Sequence, residues 1–418
     1  MTEKRVESPE LRVESERAPE QSGRPSTLNP QLSTPFIAIA CGGTGGHLFP
    51  GLAVAEKLRD RGCQVALLIS PKDVDQQAVK NVSGMEIITL PAVALQRGSR
   101  LAFLRGFWKS WRSAKQIFKS RPPQASLAMG GFTSAPPILA ARSAGAKTFL
   151  HESNTIPGRA NRWLARVVDQ AFVGFPQAAT QLRVREATVT GTPVRPQFQP
   201  RNAAACRGHF GFDAAAPVVL VTGGSQGASG LNDLVLSALP LVAERAPHWQ
   251  WLHLTGPSDV EKVKQAYAAR GLKAVVQPFL GEMELALGAA SAVVSRAGAS
   301  SLAEIAAMRL PALLVPFPAA ADNHQLFNAR AFVETGAARM LEQKAATPAQ
   351  FLELLQGLVE DVDTVAKMRV ALEHWHAPKA AEEIAEMILQ AVGQTSERRP
   401  PARQVSKEDG LTPKQNTA

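Results

Sequence analysis

Cysteine is scarce in this sequence: Cys41, Cys63 and Cys206 are its three cysteines in 418 residues. So sparse and odd a set excludes a disulfide framework and makes a reducing compartment the expectation. No Cys/His cluster has zinc-ligand spacing, and no metal site is expected. No stretch reaches the roughly 18 uninterrupted apolar residues of a membrane-crossing helix, so any membrane role would be peripheral. The charged first 34 residues lack the apolar run of a signal peptide.

Acidic excess is also missing. Lys plus Arg number 46 against 36 for Asp plus Glu, a formal net charge of +10. That excludes an acidic disordered chain and invites nucleic acid or an anionic membrane as partner. The surplus is uneven: net −1 over 1–34, +13 over 35–195, −4 over 196–393 and +2 over 394–418. One half basic and the other mildly acidic, in a chain 45% hydrophobic, predicts two packed domains with different partners. The two tails, rich in charge, Pro, Ser and Gln, cannot bury apolar surface and are expected to be disordered.

From Pro35 the apolar pattern alternates between strand and helix. Strands are predicted at Phe36–Ala40, Val65–Ile69, Met85–Leu90, Ala125–Met129, Thr148–Leu150 and Gln170–Val173, with a helix from Pro50 to about Arg61. After a polar, Pro-containing stretch, Thr192–Ala216, the rhythm restarts at Val218–Val221. It continues at Trp249–Leu254, Ala274–Gln277, Ala292–Ser295 and Ala312–Pro316. Short apolar strands separated by helices imply parallel sheets covered on both faces. Amphipathic helices over roughly 364–393 suit either domain on pattern alone.

Each half opens with an apolar strand, a Gly-rich turn and a helix. The first turn is Gly42-Gly43-Thr44-Gly45-Gly46-His47, the second Gly223-Gly224-Ser225-Gln226-Gly227-Ala228. Glycines let backbone N–H groups approach a ligand, and the helix N-terminus behind them favours anions. Neither turn has GxGxxG spacing, no acid ends the second strand, and no Lys-Ser/Thr pair follows, which weakens nicotinamide, flavin and Walker readings. A tight strand–helix turn without a ligand is the plainer reading of either one alone. Two at matching places suggest one ligand bridging two domains.

Other polar groups sit at predicted strand ends. His151-Glu152-Ser153-Asn154 follows Leu150, and the alternative there is a simple helix cap. Arg195 lies at the predicted hinge, suited to a phosphate if not merely solvated. Glu304, after Ser295-Arg296-Ala297-Gly298-Ala299-Ser300-Ser301-Leu302-Ala303, suits either capping or a ribose diol. Asp322-Asn323-His324-Gln325 is a polar loop that could read sugar hydroxyls. Two Asp-Val-Asp triplets, Asp73–Asp75 and Asp361–Asp363, are read as solvated helix-start acids rather than metal ligands.

Residues 97–121 hold eight bases, Arg97, Arg100, Arg105, Lys109, Arg112, Lys115, Lys119 and Arg121, and no acid. On a helix, Phe103, Leu104, Phe107, Trp108, Trp111 and Phe118 span a sector of roughly 140°, and Arg105, Lys109, Arg112 and Lys119 an adjoining one of about 80°. That suits anionic headgroups. The alternative is that the aromatics pack on the domain's own core, and both can hold at once. No nucleic-acid motif is present.

Seven blocks, in order and sensibly spaced across 35–393, resemble the MurG family. They are GGTGGHLFPGLAVA (42–55), GGFTSAPPILAA (130–141), HESNTIPGRANRWLA (151–165), GTPVR (191–195), GGSQGASGLN (223–232), SRAGASSLAEIAAMRLPALLVPFP (295–318) and DNHQLFNA (322–329). The resemblance implies a GT-B fold: two doubly wound, Rossmann-like α/β domains facing each other across a donor-binding cleft. The expected division is an acceptor- and membrane-facing domain over 35–195 and a UDP-sugar domain over 196–370. A closing helix, 371–393, would return to the first domain.

The implied reaction is inverting transfer of GlcNAc from UDP-GlcNAc to the C4 hydroxyl of undecaprenyl-diphospho-muramoyl-pentapeptide, lipid I. Its product is lipid II, made at the cytoplasmic face of the cell membrane with no cofactor. Ser225, Gln226 and Arg195 would meet the diphosphate, Leu280 and Ala299, Ser300, Ser301, Leu302 and Ala303 the uracil end, Glu304 the ribose and Gln325 the sugar. Thr44, Gly45, Gly46 and Asn154 would close the site from the first domain. His47 is the candidate base and His151 the alternative. Phe132 stands where family members often have Tyr, so a phenol is not available there. Arg105, Trp108, Lys109, Trp111, Arg112 and Lys119 would face the membrane. The competing possibilities are another GT-B enzyme, with a different acceptor or epimerising the sugar nucleotide, and a non-enzymatic binding protein.

Overall fold

The computed structural model describes residues 34–43, 45–72, 75–76, 79–80, 82–91, 100–224 and 227–398. Thr44, Asp73, Arg97, Ser225, Gln226 and nearly all of both tails lie outside them.

Among the described residues the strands form two parallel sheets. The first contains β1 (Phe36–Ala40), β2 (Gln64–Ile69), β3 (Glu86–Thr89), β4 (Ala125–Ala128), β5 (Lys147–Glu152), β6 (Gln170–Val173) and β7 (Ala187–Val189). The second contains β8 (Val218–Thr222), β9 (Gln250–Leu254), β10 (Ala274–Gln277), β11 (Ala292–Ser295), β12 (Ala312–Leu314) and β13 (Arg339–Met340). Their orders are 3-2-1-4-5-6-7 and 10-9-8-11-12-13. Every residue of β1 and β8 is buried, as helices on both faces of a parallel sheet require. Strand order reverses between β1 and β4 and again between β8 and β11. The carboxyl ends at those two points form the crevices where open α/β sheets take ligands.

Four elements depart from expectation. The edge strands β7 and β13, of three and two residues, are too short to show a pattern. The first helix runs Gly45–Asp60, with Pro50 inside it. Pro50 lacks the N–H that would bond the Gly46 carbonyl, but Gly46 is exposed in the first turn, so its carbonyl is open to solvent. The Gly-rich turn is therefore shorter than the sequence suggests, and Gly45, Gly46 and His47 are helical. Finally, β5 extends through Glu152, so His151 belongs to the strand.

The helix Val362–Trp375 packs Met368 and Leu372 into the second core. After His376–Lys379 the helix Ala380–Arg398 buries Ala381, Ile384, Ala385 and Ile388 with Leu48, Leu52 and Val54 of the first domain. Arg61 holds it through Glu382 and Glu386, each at 2.8 Å. The helix continues into the segment that composition assigns to the disordered tail.

One sequence reading is overturned. Asp75 is wholly buried, not solvated. Its Oδ2 accepts from the Gly43 N–H at 2.7 Å, the Ser70 N–H at 3.2 Å and the Ser70 hydroxyl at 2.5 Å. It pins the first glycine turn to the end of β2. Asp361 does cap its helix from the surface, accepting from the Asp363 and Thr364 N–H groups. Asp75→Ala should strand those buried donors at roughly 1–3 kcal/mol each. A urea titration should show a lower midpoint with an unchanged slope; an unaltered midpoint would remove Asp75 from this role.

Candidate active site

The first wall of the cleft is built at the β1/β4 switch point. The helix opening at Gly45 carries His47 in its first turn, with its ring against Gly130 and Gly131 beyond β4. Gly130 has φ +115°, and a Cβ there would stand 2.8 Å from His47 Cε1, so glycine is required for the ring to lie where it does. His47 Nδ1 is buried without a well-aligned hydrogen bond. Burial lowers the His47 pKa below its ordinary value, against opposing pulls from Glu152, the Met129 backbone and Asp75. The imidazole is therefore neutral at pH 7, as a general base must be.

His151, on β5 two strands along the sheet from β1, is differently placed. It is wholly buried, with Nε2 against the Gly191 carbonyl at 3.1 Å and Nδ1 against the Ser153 hydroxyl at 3.2 Å. Burial pushes its pKa down to about 4. Both ring nitrogens are occupied, which leaves no lone pair for a substrate. Glu152 beside it organises the loop. Its Oε1 accepts from the Asn154 N–H at 2.8 Å and the Asn154 amide at 3.0 Å. Its Oε2 accepts from Gly158 N–H at 2.9 Å and the Asn161 amide at 2.8 Å.

The second wall is built at the β8/β11 switch point. The second glycine turn leaves β8 for the helix Ser229–Arg245. Gly227, at φ +74°, approaches the Thr255 carbonyl so closely that a Cβ would lie 2.4 Å from it. β11 leads into the helix Ala299–Met308. Ala299 is buried, Ser300, Ser301 and Ala303 are half-buried, and the Leu302 side chain sits in the core, so Leu302 can offer a ligand only its backbone. Leu280 is half-buried against the same core. Glu304, one turn into the helix, has its pKa pushed up to about 7, chiefly by burial, with Arg195 pulling it down and Glu284 up.

Arg195 lies at the hinge, its guanidinium 4.3 Å from the Phe49 ring of the first domain and 5.0 Å from Phe198. Its Nε is buried without a hydrogen-bond partner, so the charge is held in place by stacking while that donor is unused. Gln325 opens the helix His324–Glu334, and its Oε1 accepts from the Phe317 N–H at 2.9 Å. Arg296, six per cent exposed, donates to the carbonyls of Val315 and Pro316 and to Gln343.

The two walls also touch. Asn328, wholly buried, bonds Asn154 and Thr155 of the first domain. Asp322 pairs with Arg162 at 2.7 Å and Arg159 at 3.4 Å. Sequence reading passed over Asn328, although its i, i+3 spacing from Gln325 puts both on one helical face. It likewise missed Glu152 as the organiser of the Asn154 loop and Asp75 as the anchor of the first turn. Among the described residues no group of three or more His, Cys, Asp or Glu could hold a metal.

Outside the cleft, the basic stretch forms the helix Arg100–Ser120. Its aromatics divide. Phe118 is buried in the core with Ala114, and Phe103 packs edge-on to Phe132 with centroids 5.6 Å apart. Leu101, Leu104 and Trp108 face outward at 70%, 59% and 53% exposure, while Trp111 is half-buried. Arg105, Lys109, Arg112 and Lys119 are exposed, and the Arg112 guanidinium lies 5.3 Å from the Trp108 ring. No helix among the described residues is long and apolar enough to cross a membrane.

Residues 37–173 match the family model for the glycosyltransferase family 28 N-terminal domain, and 218–386 that for the C-terminal domain. A protein of Anaeromyxobacter sp. (strain K) is 36% identical over 365 residues, covering 85% of this chain and 93% of its own length. One of Acidithiobacillus ferrooxidans is 36% identical over 363 residues, covering 85% and 98%. Both are named UDP-N-acetylglucosamine–N-acetylmuramyl-(pentapeptide) pyrophosphoryl-undecaprenol N-acetylglucosamine transferase. The crystal structure of Acinetobacter baumannii MurG superposes with a TM-score of 0.67 at 28% identity, covering 85% of this chain and 99% of that one. A UDP-N-acetylglucosamine 2-epimerase shares the fold at 14% identity and a TM-score of 0.63.

Proposed function

The chain belongs to the MurG family of glycosyltransferases, and from that premise we propose how its residues carry out the family's reaction. It has the two-domain GT-B architecture and transfers GlcNAc from UDP-GlcNAc to lipid I, forming lipid II.

UDP-GlcNAc binds mainly the second wall. Glu304 accepts from the ribose diol, the run Ala299–Ala303 and Leu280 enclose the uracil, and Gln325 reads the sugar with the amide N–H groups that its Phe317 contact leaves free. The diphosphate lies over the second glycine turn, with Ser225 and Gln226, at the N-terminus of Ser229–Arg245. Thr44, Gly45, Gly46 and Asn154 close the site from the first domain.

His47 Nε2 takes the proton of the acceptor's C4 hydroxyl as that oxygen attacks the anomeric carbon and UDP departs. A single displacement inverts the centre. His47 is favoured over His151 because its ring keeps a nitrogen without a hydrogen-bond partner, whereas His151 has both in use. The helix N-termini and Arg195 carry the leaving group's growing charge, and no cofactor enters the scheme. What supports the site most is one observation: Arg195, at the hinge, stacks on Phe49 of the helix that carries His47. Purified chain given radiolabelled UDP-GlcNAc and a short-chain lipid I analogue should produce labelled lipid. No transfer beside an active control enzyme would sink the assignment, and epimerised sugar would replace it.

We place the chain peripherally at the cytoplasmic face of the inner membrane, through the helix Arg100–Ser120. Leu101, Leu104 and Trp108 are free to enter the interface, and Arg105, Lys109, Arg112 and Lys119 surround them with positive charge, each worth about 1 kcal/mol near an anionic surface. Changing Lys109, Arg112 and Lys119 to Glu should abolish sedimentation with anionic vesicles. Undiminished binding would reject this face.

A further inference from the structure

We propose that Asn328 is a positioning residue that ties the donor-facing loop of the second domain to Asn154 of the first, and so sets the closed geometry in which transfer occurs. The inference rests on the donor-site assignment above.

A side-chain amide has two acceptor lone pairs and two N–H donors, and at Asn328 all four are used. Its Oδ1 accepts from the Thr155 N–H and from the Thr155 hydroxyl, both at 2.9 Å. Its Nδ2 donates to Asn154 Oδ1 at 3.0 Å and to the Ala297 carbonyl at 3.1 Å. Three of the four bonds cross between domains; the fourth reaches the residue before the Gly298–Ala299 helix start. The side chain has no exposed surface, so any missing partner leaves a dry polar group, at a cost larger than the bond itself was worth.

Two features make this more than a packing contact. Asn328 lies one turn after Gln325 on the same helix, so its position and that of the sugar-reading amide are set together. It also fixes Asn154: Glu152 holds the Asn154 amide nitrogen from one side while Asn328 holds the oxygen from the other. With both ends of that amide engaged, its orientation is determined, and one N–H of Asn154 remains for a ligand. Thr155 Oγ1 and N–H are held by one acceptor, so a small shift of the second domain would break both bonds at once.

The test pairs a disruptive variant with a conservative one. Asn328→Asp keeps the acceptor toward Thr155 and loses both donations; Asn328→Leu loses everything at similar volume. Binding of UDP alone, measured calorimetrically, should remain within about threefold of wild type, because the nucleotide contacts lie mainly in the second domain. Turnover of UDP-GlcNAc with a lipid I analogue at saturating donor should fall at least tenfold in both. Thr155→Val, which removes one bond from the opposite side, should reduce kcat less, and adding it to Asn328→Leu should cost nothing further. Turnover within threefold of wild type in folded Asn328→Leu would overturn the proposal, as would a parallel tenfold loss of UDP binding, which would mean a collapsed donor pocket. Should Asn328→Leu fail to fold, Asn328→Asp decides: turnover within threefold of wild type despite the loss of both donations overturns the proposal. A wild-type chain that binds UDP but transfers nothing would instead indict the assignment of the reaction.

Discussion

His47→Ala should lower kcat by roughly 10²–10⁴-fold, the range that a positioned general base supplies, while the KM for UDP-GlcNAc stays within a few-fold. The ring contributes to proton transfer and not to the nucleotide pocket, so the loss belongs in kcat. Its rotamer is fixed by Gly130, where a Cβ would collide with Cε1. Gly130→Ala should therefore mimic part of the defect without touching the imidazole's chemistry. Because burial lowers the His47 pKa, the neutral base persists below pH 6.5. The kcat profile at saturating donor should hold its plateau at least to that pH and decline only in more acid solution. His151→Asn provides the contrast, since that residue's nitrogens are engaged by Gly191 and Ser153: it should cost stability before it costs turnover. Full turnover by His47→Ala would eliminate His47 as the base.

The parts of this molecule legible in the sequence are those fixed by local pattern. β1 and β11 occupy the same residues that their apolar runs predict, because a strand buried on both faces is apolar almost throughout. The glycine turns are legible for the same reason, being required by backbone geometry. What resists reading is the long-range polar contact. Asp75 looks like a helix-start acid, yet it folds back 32 residues to Gly43; Asn328 reaches Thr155 over 173 residues. No spacing rule announces either one. The amphipathic helix Arg100–Ser120 is intermediate. Its apolar sector follows from the 3.6-residue period, but its division between Phe118 inside and Trp108 outside depends on what the sheet and the neighbouring helix cover. His47 illustrates the opposite error. Proline is a good first helical residue, so Pro50 suggests a later helix start, and the imidazole is then assigned to a loop when it is held by a helix.

Glu304→Gln should raise the KM for UDP-GlcNAc by about tenfold to a hundredfold, since a hydrogen bond to a charged acceptor is worth roughly 1.5–3 kcal/mol, and leave kcat at saturating donor nearly intact. The same carboxyl sets a pH dependence. In the free protein its pKa is pushed up to about 7 from an ordinary value near 4.5. Below pH 7 the proton sits on the group meant to accept from the ribose, so donor affinity should weaken as pH falls through 7, and kcat/KM should bend there while kcat does not. Stability moves the other way. Between about pH 4.5 and 7 the folded chain holds a proton that the unfolded chain has released, so stability falls as pH rises across that window and stays lower above it. Glutamine carries no charge to bury. Glu304→Gln should therefore melt higher than wild type at pH 8 and equally at pH 4, a gain in stability from the very change that weakens donor binding. Equal melting at pH 8 with an intact kinetic limb near 7 would mean that another group titrates there and that Glu304 is already satisfied in the empty cleft.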